Sequence, residues 1–351
     1  MKVVERSVVT DMTAVVIVNY IKYEDTIAAI DSVLESATNE DYRIVVVDNA
    51  SPNDSFEELS KHYGMIKITD SQKNSNGQEH NVIYKRLFND DDQKYSAISF
   101  AGKIALIKAS ENRGYCAGNN IGIRYAMDEL GAEYIWILNP DTIVKPYTFE
   151  NYMRYASMHT EVGIVGADLI FYPDSEHMQA YGGGKFGRRK SLVMGPFNHE
   201  YKDASVDTEL PEEIELDVAI GASMFVRSEV FEKIGLMNED YFLYSDENEF
   251  CLRAKKAGFR ITAIRGAVVF HKEGYRENKQ TLMAEYYITR NSLYMVKELY
   301  PKYFPIHYFF TAVISSDTIR KLFQGKFDLV KMKYRGIRDY RRGIKGRVSL
   351  P

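Results

Sequence analysis

The chain has 351 residues, of which 45% are hydrophobic and 27% charged, a balance typical of globular proteins and not of disordered ones. This length predicts about two domains, and two cysteines, Cys116 and Cys251, are too few for a disulfide framework. We find no signal-peptide pattern and no apolar stretch long enough to span a bilayer. We therefore expect a cytoplasmic protein and exclude the secreted, collagenous and polytopic membrane classes.

The first half of the chain alternates strand and helix patterns. Apolar strands are predicted at 14–18, 43–47, 104–109 and 134–138, and helices at 25–36, from about 53 to 62, and ending near 130. This order indicates an α/β protein with βαβ units and a parallel sheet, in which ligands bind beyond the carboxyl ends of the strands. Asp48 and Asp141 each follow a predicted strand, so we expect both at the same edge of the sheet. The polar segment 70–100 is interpreted as an insertion.

The second half is less regular. Strands are predicted at 162–170, 217–226, 259–264 and 266–270, the last one leading to His271. A short helix is predicted over 227–234, ended by Gly235, and a second helix has Ser245 or Asp246 as its cap and ends before Gly258. From Thr281 onward the pattern is helical and increasingly basic.

The net charge of −4 conceals an uneven distribution, because the segment 320–347 alone carries eleven Lys and Arg against two Asp. Its net charge is +9, which leaves about −13 for the rest of the chain and argues against a nucleic-acid-binding surface. A basic tail with interspersed aromatic residues slightly favours an anionic membrane surface as partner. The alternative is that these helices pack on the enzyme or on another subunit, and the oligomeric state is left open.

Groups capable of chemistry follow several of the predicted strands. Taken alone, Asp48 and the sequence Asn139, Pro140, Asp141 are most simply turn residues, and His271 is most simply a hydrogen-bonded core or surface histidine. The functional alternative is that a carboxylate at the sheet edge holds Mg²⁺ or Mn²⁺ against a diphosphate, since both cations prefer oxygen ligands.

Asp246, Glu247 and Glu249 open a predicted helix, where the helix dipole favours negative charge. Three acids exceed what a helix start requires, and the aromatic run 241–244 lies beside them. This combination predicts a carboxyl group with a raised pKa, which suits a general base. Because Asp246 and Glu247 are neighbours on one helical turn, we expect their carboxylates to point in different directions.

The order of the motifs is more informative than any one motif. The chain contains, in sequence, VIVNY, VVVDNAS, ENRGYCAGNNIG, WILNPDT, a glycine-rich loop, FLYSDENEFCLRAKKAGFRI and VVFHKEG. Over about residues 12–300 this order resembles the family 2 glycosyltransferases, in particular their rhamnosyltransferase-like branch. The resemblance implies a GT-A fold, which is a Rossmann-like, mostly parallel sheet flanked by helices, over 12–275. A helical, basic region would follow over 276–351.

The resemblance also implies an activity. Family members transfer a sugar, with inversion at the anomeric carbon, from a nucleotide diphosphate donor to a hydroxyl group. The acceptor would be a growing cell-surface polysaccharide or a lipid-linked glycan at the inner face of the cell membrane. The branch favours dTDP-L-rhamnose as the donor, with UDP-sugars as the next candidates, and Mn²⁺ or Mg²⁺ as the cofactor.

Site residues are carried over position by position. Asp141 and His271 match residues that hold the metal and the diphosphate, although Asn139 occupies the first position of the D-x-D metal motif. Glu247 matches the catalytic base, where the family usually has Asp, and Asp246 is the alternative. The matching donor-site residues are Asn19, Tyr20, Asp48, Asn112, Arg113, Gly114, Asn120 and Asn139.

Two other functions stay open at this point. A sugar nucleotidyltransferase would share a nucleotide-binding α/β fold, but it normally carries a glycine-rich loop after its first strand, and the segment VNYIKYEDT contains no glycine. A catalytically silent sugar-binding or scaffold protein would not need Asp141, Glu247 and His271 together.

Overall fold

A computed structural model describes residues 12–37, 41–68, 95–185, 198–272, 281–312 and 316–350. The helices in these ranges are α1 Tyr23–Ser36, α2 Ser55–His62, α3 Tyr115–Asp128, α4 Thr148–Met158, α5 Ser228–Ile234, α6 Asp246–Lys256, α7 Leu282–Leu299, α8 Phe304–Ala312, α9 Ser316–Phe323 and α10 Phe327–Arg341.

The described strands are β1 Thr13–Asn19, β2 Tyr42–Asp48, β3 Ile66–Ile68, β4 Tyr95–Ala101, β5 Ile104–Ala109, β6 Tyr134–Leu138, β7 Thr142–Val144, β8 Val162–Phe171, β9 Met178–Tyr181, β10 Gly183–Lys185, β11 Asn198–His199, β12 Glu213–Glu215, β13 Val218–Ala219, β14 Ser223–Arg227 and β15 Arg260–His271. Within the described ranges, β10, β11 and β13 form a small sheet and the other twelve strands form one large sheet.

The centre of the large sheet is parallel and buried. β1 lies between β2 and β6, and β5 pairs with the other side of β2, all in parallel. Alternate side chains of β1 enter two different apolar clusters: Val16 packs in one and Val15 and Ile17 in the other. Burial on both faces explains why these strands are continuously apolar in sequence. The predicted α/β architecture with a mostly parallel central sheet is confirmed.

The strand register places the predicted polar residues at one edge of the sheet. Asn19 pairs with Asp48 at the ends of β1 and β2, and Ile17 pairs with Leu138 near the end of β6. Asp141 follows Leu138 by three residues. The prediction that Asp48 and Asp141 share an edge is therefore confirmed.

Two strand predictions were wrong in detail. The segment 217–226 is not one strand, because β13 belongs to the small sheet and β14 to the large one, with a turn at 220–223 closed by the bond from Ser223 N to Ile220 O. The segments 259–264 and 266–270 are joined in β15, whose register against β8 shifts between Ala263 and Val268. Both halves of each segment are apolar, so the hydrophobic pattern alone does not show a change of sheet or a bulge.

Most of the predicted insertion lies outside the described residues, which resume at Tyr95. Its last part belongs to the main sheet: β4 pairs antiparallel with β5 and also with β3. This hairpin extends the sheet on the side of β2 and β5, away from β15.

The helices at the C-terminus carry the basic charge of the tail, and they also pack on one another. Gly336 on α10 allows close approach to α7, since a Cβ there would lie 2.8 Å from Tyr286 O. Two of the basic side chains are buried: Lys321 pairs with Glu285 at 2.5 Å, and Lys333 donates to Thr318 Oγ1 at 2.7 Å. Part of the basic tail therefore serves internal packing. Over the described ranges, every helix is too short or too polar to cross a membrane.

Candidate active site

Asp48, at the end of β2, is completely buried. Its Oδ2 accepts a hydrogen bond from Asn19 Nδ2 at 2.7 Å, and its Oδ1 accepts one from the backbone N–H of Ser51 at 3.0 Å. Asn19 in turn accepts a hydrogen bond from Thr26 Oγ1 at 2.8 Å. The carboxylate thus shapes the turn after β2, as its simplest interpretation predicts. Tyr20, next to this network, is 40% exposed and presents an accessible ring.

The loop before α3 is fixed by short polar contacts. Asn112 Oδ1 accepts from the N–H of Gly114 at 3.0 Å, and Asn49 Nδ2 donates to the carbonyl of Gly114, also at 3.0 Å. Gly114 has φ +100°, and a Cβ there would lie 2.2 Å from the carbonyl oxygen of Phe242. That carbonyl accepts from the N–H of Tyr115 at 2.9 Å. Only glycine fits at position 114, because the loop around Phe242 packs directly against it and leaves no room for a Cβ atom.

Arg113 and Asn120 take different positions beside this loop. The Arg113 guanidinium is half-exposed and lies 3.2 Å from Glu239, at the edge of a pocket that Asn49 also lines. Asn120 is buried, donates to the carbonyl of Met237 at 2.8 Å and accepts from its N–H at 3.1 Å. Arg113 is therefore accessible to a ligand, whereas Asn120 connects α3 to the segment around Met237.

Asp141 and His271 are brought together by the pairing of β7 with β15, which sets Thr142 opposite His271. His271 Nε2 lies 3.3 Å from Asp141 Oδ1, and His271 Nδ1 lies 2.8 Å from Gln179 Oε1. Because an amide oxygen only accepts hydrogen bonds, the ring proton is assigned to Nδ1, and the lone pair of Nε2 faces the Asp141 carboxylate. Burial acts to raise the pKa of Asp141, but protonation of His271 at Nε2, which adds a donor and a positive charge beside this carboxylate, brings that pKa below its ordinary value.

This pair fits a divalent cation. His271 Nε2 and Asn139 Oδ1 are both buried, and neither makes a hydrogen bond to the residues that the structure describes. Two unsatisfied acceptor atoms together with the carboxylate of Asp141 are suitable ligands for Mn²⁺, which accepts both imidazole and oxygen donors. Gln179 would hold the imidazole in the tautomer that binds metal, a role that second-shell groups commonly serve. The sequence analysis did not find Gln179.

A second group of potential ligands was not predicted either. Asp174, Glu176 and His177 offer ligand atoms that lie within 4.8 Å of one another on a surface turn. Asp174 Oδ1 accepts from the N–H of Glu176 at 3.1 Å, and His177 Nδ1 lies 3.0 Å from Asp174 Oδ2. These local contacts account for the arrangement as a turn stabilised by its own side chains.

Asp246 and Glu247 form a carboxyl pair at the start of α6. Asp246 is 3% exposed, with Cys116 Sγ at 3.5 Å from its Oδ2, and the carboxyl of Glu247 is hydrogen-bonded to that of Asp246. The expectation that the two carboxylates point apart was wrong. The angular offset on a helix applies to the Cβ directions, and the longer Glu side chain reaches back to its neighbour. Burial, reinforced by the charge of Asp246, raises the pKa of Glu247 well above its ordinary value, as predicted.

The third acid of the cluster has a structural role. Glu249 is 3% exposed and makes an ion pair with Arg253, one turn later on α6, at 2.6 Å. Arg253 also donates to the carbonyl of Leu236 at 2.8 Å. Burial raises the pKa of Glu249, while Arg253 acts against that rise. We therefore separate Glu249 from the Asp246–Glu247 pair.

The turn at 220–223 connects the two pairs. The hydroxyl of Tyr115 donates to the carbonyl of Gly221 at 2.8 Å, and a Cβ at Gly221 would lie 3.6 Å from Glu247 Cβ. The next carbonyl, that of Ala222, accepts from the N–H of Asn139 at 2.9 Å. Burial, together with the charges of the acids, raises the pKa of Tyr115 well above its ordinary value, so its phenol stays protonated. Neither Tyr115 nor Gly221 was singled out from the sequence.

The backbone that leads into α6 is strained. Phe242, Tyr244 and Ser245 have φ values of 66°, 63° and 65°. Non-glycine residues in this region cost roughly 1–3 kcal/mol each and persist only where their surroundings hold them. Ser245, one of the two predicted caps, occupies the position before the helix, but its side chain makes no capping hydrogen bond. The carboxyl pair is therefore presented by a conformation that local sequence preferences do not favour.

Comparisons with known proteins show the family of the chain. The family described as "Glycosyltransferase like family 2" matches residues 11–286. The chain is 26% identical over 259 residues to the low-salt glycan biosynthesis hexosyltransferase Agl10 of Haloferax volcanii, which covers 71% of this chain and 78% of Agl10. It is 24% identical over 253 residues to the dTDP-rhamnosyl transferase RfbF of Shigella flexneri, covering 70% and 80% of the two chains.

Solved structures show the same fold at much lower identity. The structure of GalNAc-T7 with UDP, GalNAc and Mn²⁺ superposes with a TM-score of 0.57 at 13% identity, covering 87% of this chain and 51% of that chain. The chain thus spans about half the length of GalNAc-T7. At this identity the likeness concerns the fold alone.

Proposed function

The chain belongs to the glycosyltransferase like family 2 and has the GT-A fold, and from this premise we propose that it is an inverting, metal-dependent glycosyltransferase. It would transfer a sugar from a nucleotide diphosphate donor to a hydroxyl group of a cell-surface polysaccharide or lipid-linked glycan. L-Rhamnose carried by dTDP is the first candidate, supported by the name of RfbF, and UDP-sugars come next. Residues 12–275 would form the catalytic domain and 276–351 a supporting region.

One observation carries this proposal. The Asp141–His271 pair and the Asp246–Glu247 pair are linked through a single turn, since Asn139 binds the carbonyl of Ala222 and the side chain of Glu247 lies against Gly221. A glycosyl transfer needs one group that stabilises the leaving diphosphate and another that accepts the proton of the attacking hydroxyl. A scaffold or sugar-binding protein has no need of a carboxyl pair in which the pKa of Glu247 is raised and which one turn links to a candidate metal site.

In the mechanism we propose, Glu247 accepts the proton of the acceptor hydroxyl. Its raised pKa makes it a stronger base than an exposed glutamate once it is ionised, and its protonated form, which donates a hydrogen bond to Asp246, is the form left after proton transfer. The protonated phenol of Tyr115 fixes the carbonyl of Gly221 and so keeps the turn in place. Holding the hydroxyl in line with the anomeric carbon supplies much of the remaining acceleration.

Asp141 and His271, with Asn139 beside them, would hold Mn²⁺ or Mg²⁺. A cation bound there supplies positive charge next to the departing diphosphate. His271 would bind through Nε2, because Nδ1 is committed to Gln179.

The remaining proposed donor residues divide by exposure. Tyr20 and Arg113 are accessible and would contact the nucleotide directly. Asp48, Asn19 and Asn120 are buried and hydrogen-bonded within the protein. They would act by shaping the loops that include Asn112 and Gly114.

The test uses the full chain with a panel of nucleotide sugars, namely dTDP-L-rhamnose, UDP-glucose, UDP-N-acetylglucosamine and GDP-mannose, with and without Mn²⁺. We expect one donor to raise the melting temperature in the presence of Mn²⁺ and to be hydrolysed slowly to its nucleoside diphosphate. A sugar-binding protein would be stabilised without hydrolysis. If none of the donors stabilises or reacts, the assignment to sugar transfer fails.

We also propose that the C-terminal helices attach the protein to the inner face of an anionic membrane. The facing ends of α9 and α10 carry exposed apolar side chains, including Phe323, which is 90% exposed, and Phe327, which is 58% exposed. Exposed cations flank them, among them Arg320 and Lys331. Apolar side chains that insert and cations that contact acidic headgroups are the two elements of interfacial binding.

The membrane proposal is tested by co-sedimentation with vesicles of phosphatidylcholine containing or lacking phosphatidylglycerol. We expect binding to the anionic vesicles at low salt, and we expect the double variant Phe323→Ser, Phe327→Ser to lose it while retaining Mn²⁺-dependent stabilisation by the donor. Absence of binding by the full chain at low salt would refute this proposal and leave the catalytic one unaffected.

A further inference from the structure

Two adjacent polar side chains on α7, Arg290 and Asn291, are almost completely buried, with exposures of 0% and 1%. Asn291 Nδ2 faces three backbone carbonyls of the strained loop: Tyr241 O at 3.0 Å, Leu243 O at 2.9 Å and Tyr244 O at 2.9 Å. Carbonyl groups buried in a loop must find donors, because an unpaired one is costly. The two N–H bonds of one amide group are therefore shared among three carbonyls of the loop before α6.

Arg290 completes this arrangement. Its Nη2 donates to Tyr241 O at 3.1 Å, and its Nε donates to Asn291 Oδ1 at 3.0 Å. The second bond occupies the oxygen of the Asn291 amide, so the NH₂ group of that amide is directed toward the loop. The guanidinium thus both binds the loop and orients its neighbour, which lysine could not do with a single nitrogen.

The segment 344–348 encloses the loop from the other side. The N–H of Gly346 donates to Asp240 O at 2.7 Å, and the carbonyl of Gly346 accepts from Arg290 Nη1 at 2.8 Å. Lys345 Nζ lies 2.6 Å from Asp240 Oδ2, and the N–H of Val348 donates to the hydroxyl of Tyr287 at 3.0 Å. The start of the strained loop is held between α7 and the end of the chain.

We propose that Arg290 and Asn291 are positioning residues that hold the strained loop 240–245 and thereby place the Asp246–Glu247 pair for proton transfer. The loop ends directly at Asp246, so a change in the conformation of Ser245 displaces both carboxyls. A displacement of about 1 Å can cost about 10²-fold in rate. The catalytic consequence rests on the proposed function, whereas the holding of the loop does not.

The first variant is Asn291→Leu, which keeps the size of the side chain and removes its donors. With dTDP-L-rhamnose and Mn²⁺, we expect kcat for hydrolysis to fall about 10²-fold while KM stays within about twofold. We also expect amide hydrogen exchange to accelerate in residues 240–247. The matched control is Glu285→Gln on the same helix, which weakens the buried pair with Lys321 without touching the loop. It should lower the melting temperature and leave kcat and exchange at 240–247 unchanged.

Arg290→Lys is the second variant, for the case in which Asn291→Leu does not fold. It keeps the positive charge but cannot reach Tyr241 O, Gly346 O and Asn291 Oδ1 at once. We therefore expect kcat to fall while KM stays nearly unchanged, as for Asn291→Leu. Wild-type kcat and wild-type exchange at 240–247 in the folded variants would overturn the positioning role. A fall in kcat in Glu285→Gln as large as that in Asn291→Leu would also overturn it. If the wild-type chain turns over no nucleotide sugar, the proposed function fails, and the exchange measurement still decides whether α7 holds the loop.

Discussion

The two acidic regions of the site are supported in different ways. At the end of β2, one buried carboxylate, Asp48, receives hydrogen bonds from Asn19 and from the backbone of Ser51, all within neighbouring elements of the sheet. At the start of α6, Asp246 and Glu247 share a hydrogen bond with each other, and the backbone before them is left-handed at three positions.

Under the proposed function, this difference separates residues that shape the site from residues that react. Both carboxylate oxygens of Asp48 accept hydrogen bonds from neighbouring groups, so neither oxygen lacks a partner. The environment of Glu247 penalises its ionised form, and the strained loop is held by α7, more than forty residues later in the chain. Placing a group where its charge is unfavourable is typical of catalytic acids and bases. We therefore expect substitutions in the first region to affect stability and those in the second to affect chemistry.

The largest expected effect is on the base. Glu247→Gln keeps the shape of the side chain but cannot accept a proton, so we expect transfer to fall by roughly 10²-fold or more, with donor binding nearly unchanged. Measuring kcat and the donor KM tests this. Glu249→Gln is the control, because Glu249 is paired with Arg253, and it should lower stability without comparable loss of kcat. If Asp246→Asn is inactive while Glu247→Gln is active, the base is Asp246. If both transfer normally, α6 does not carry the base.

The second prediction concerns the metal. Removing the carboxylate in Asp141→Ala leaves His271 Nε2 without its charged partner, so we expect the Mn²⁺-dependent rise in melting temperature with nucleoside diphosphate to disappear. The fold should be retained, because Asp141 lies in a turn at the sheet edge. Asp174→Ala, in the exposed group with Glu176 and His177, is the control and should leave the Mn²⁺ effect intact. The opposite pattern would move the cation to Asp174.

The third prediction is a pH dependence. Glu247 must be ionised to accept a proton, so activity should rise with pH through its pKa, which lies well above 4.5. Asp246→Asn removes the neighbouring negative charge that contributes to this rise, so the acid limb of the kcat profile should move to lower pH. Profiles of kcat against pH for the two proteins decide the point. An unchanged acid limb would show that Asp246 and Glu247 are not electrostatically coupled.

The sequence was most informative where an element is determined by residues close to it in the chain. The strands at 104–109 and 134–138 were predicted with their observed bounds, because buried parallel strands are short, continuous apolar runs between turn residues. Asp48 and Asp141 were placed at one edge for the same reason. The break at 220–223 escaped prediction because the chain is apolar on both sides of it.

The sequence was least informative where a segment is held in place by residues far along the chain. Arg290 and Asn291 lie on a helix far along the chain from the loop that they hold, and a polar pair in an amphipathic helix is normally read as a solvent-exposed face. The contact between the carboxyls of Asp246 and Glu247 depends on side-chain torsions, which residue spacing does not specify. Gln179 became visible only when β9 was placed beside β8, which also pairs with β15.

The smallest effect on catalysis is expected for a substitution at Asp48, on the proposed donor side of the site. This substitution also tests the difference between the two acidic regions. Asp48→Asn retains one acceptor for Asn19 Nδ2 or for the backbone of Ser51, but it loses the charge that strengthens both bonds and adds a buried NH₂ group. Hydrogen bonds to charged groups are worth about 1.5–3 kcal/mol, so we expect the free energy of unfolding in urea to fall by about that amount. Because the carboxylate is completely buried and acts through the turn, kcat should fall far less than in Glu247→Gln once the protein is folded. Were Asp48→Asn to keep wild-type stability and lose donor binding, Asp48 would contact the nucleotide directly, and the division between shaping and reacting residues would be wrong on this side of the site.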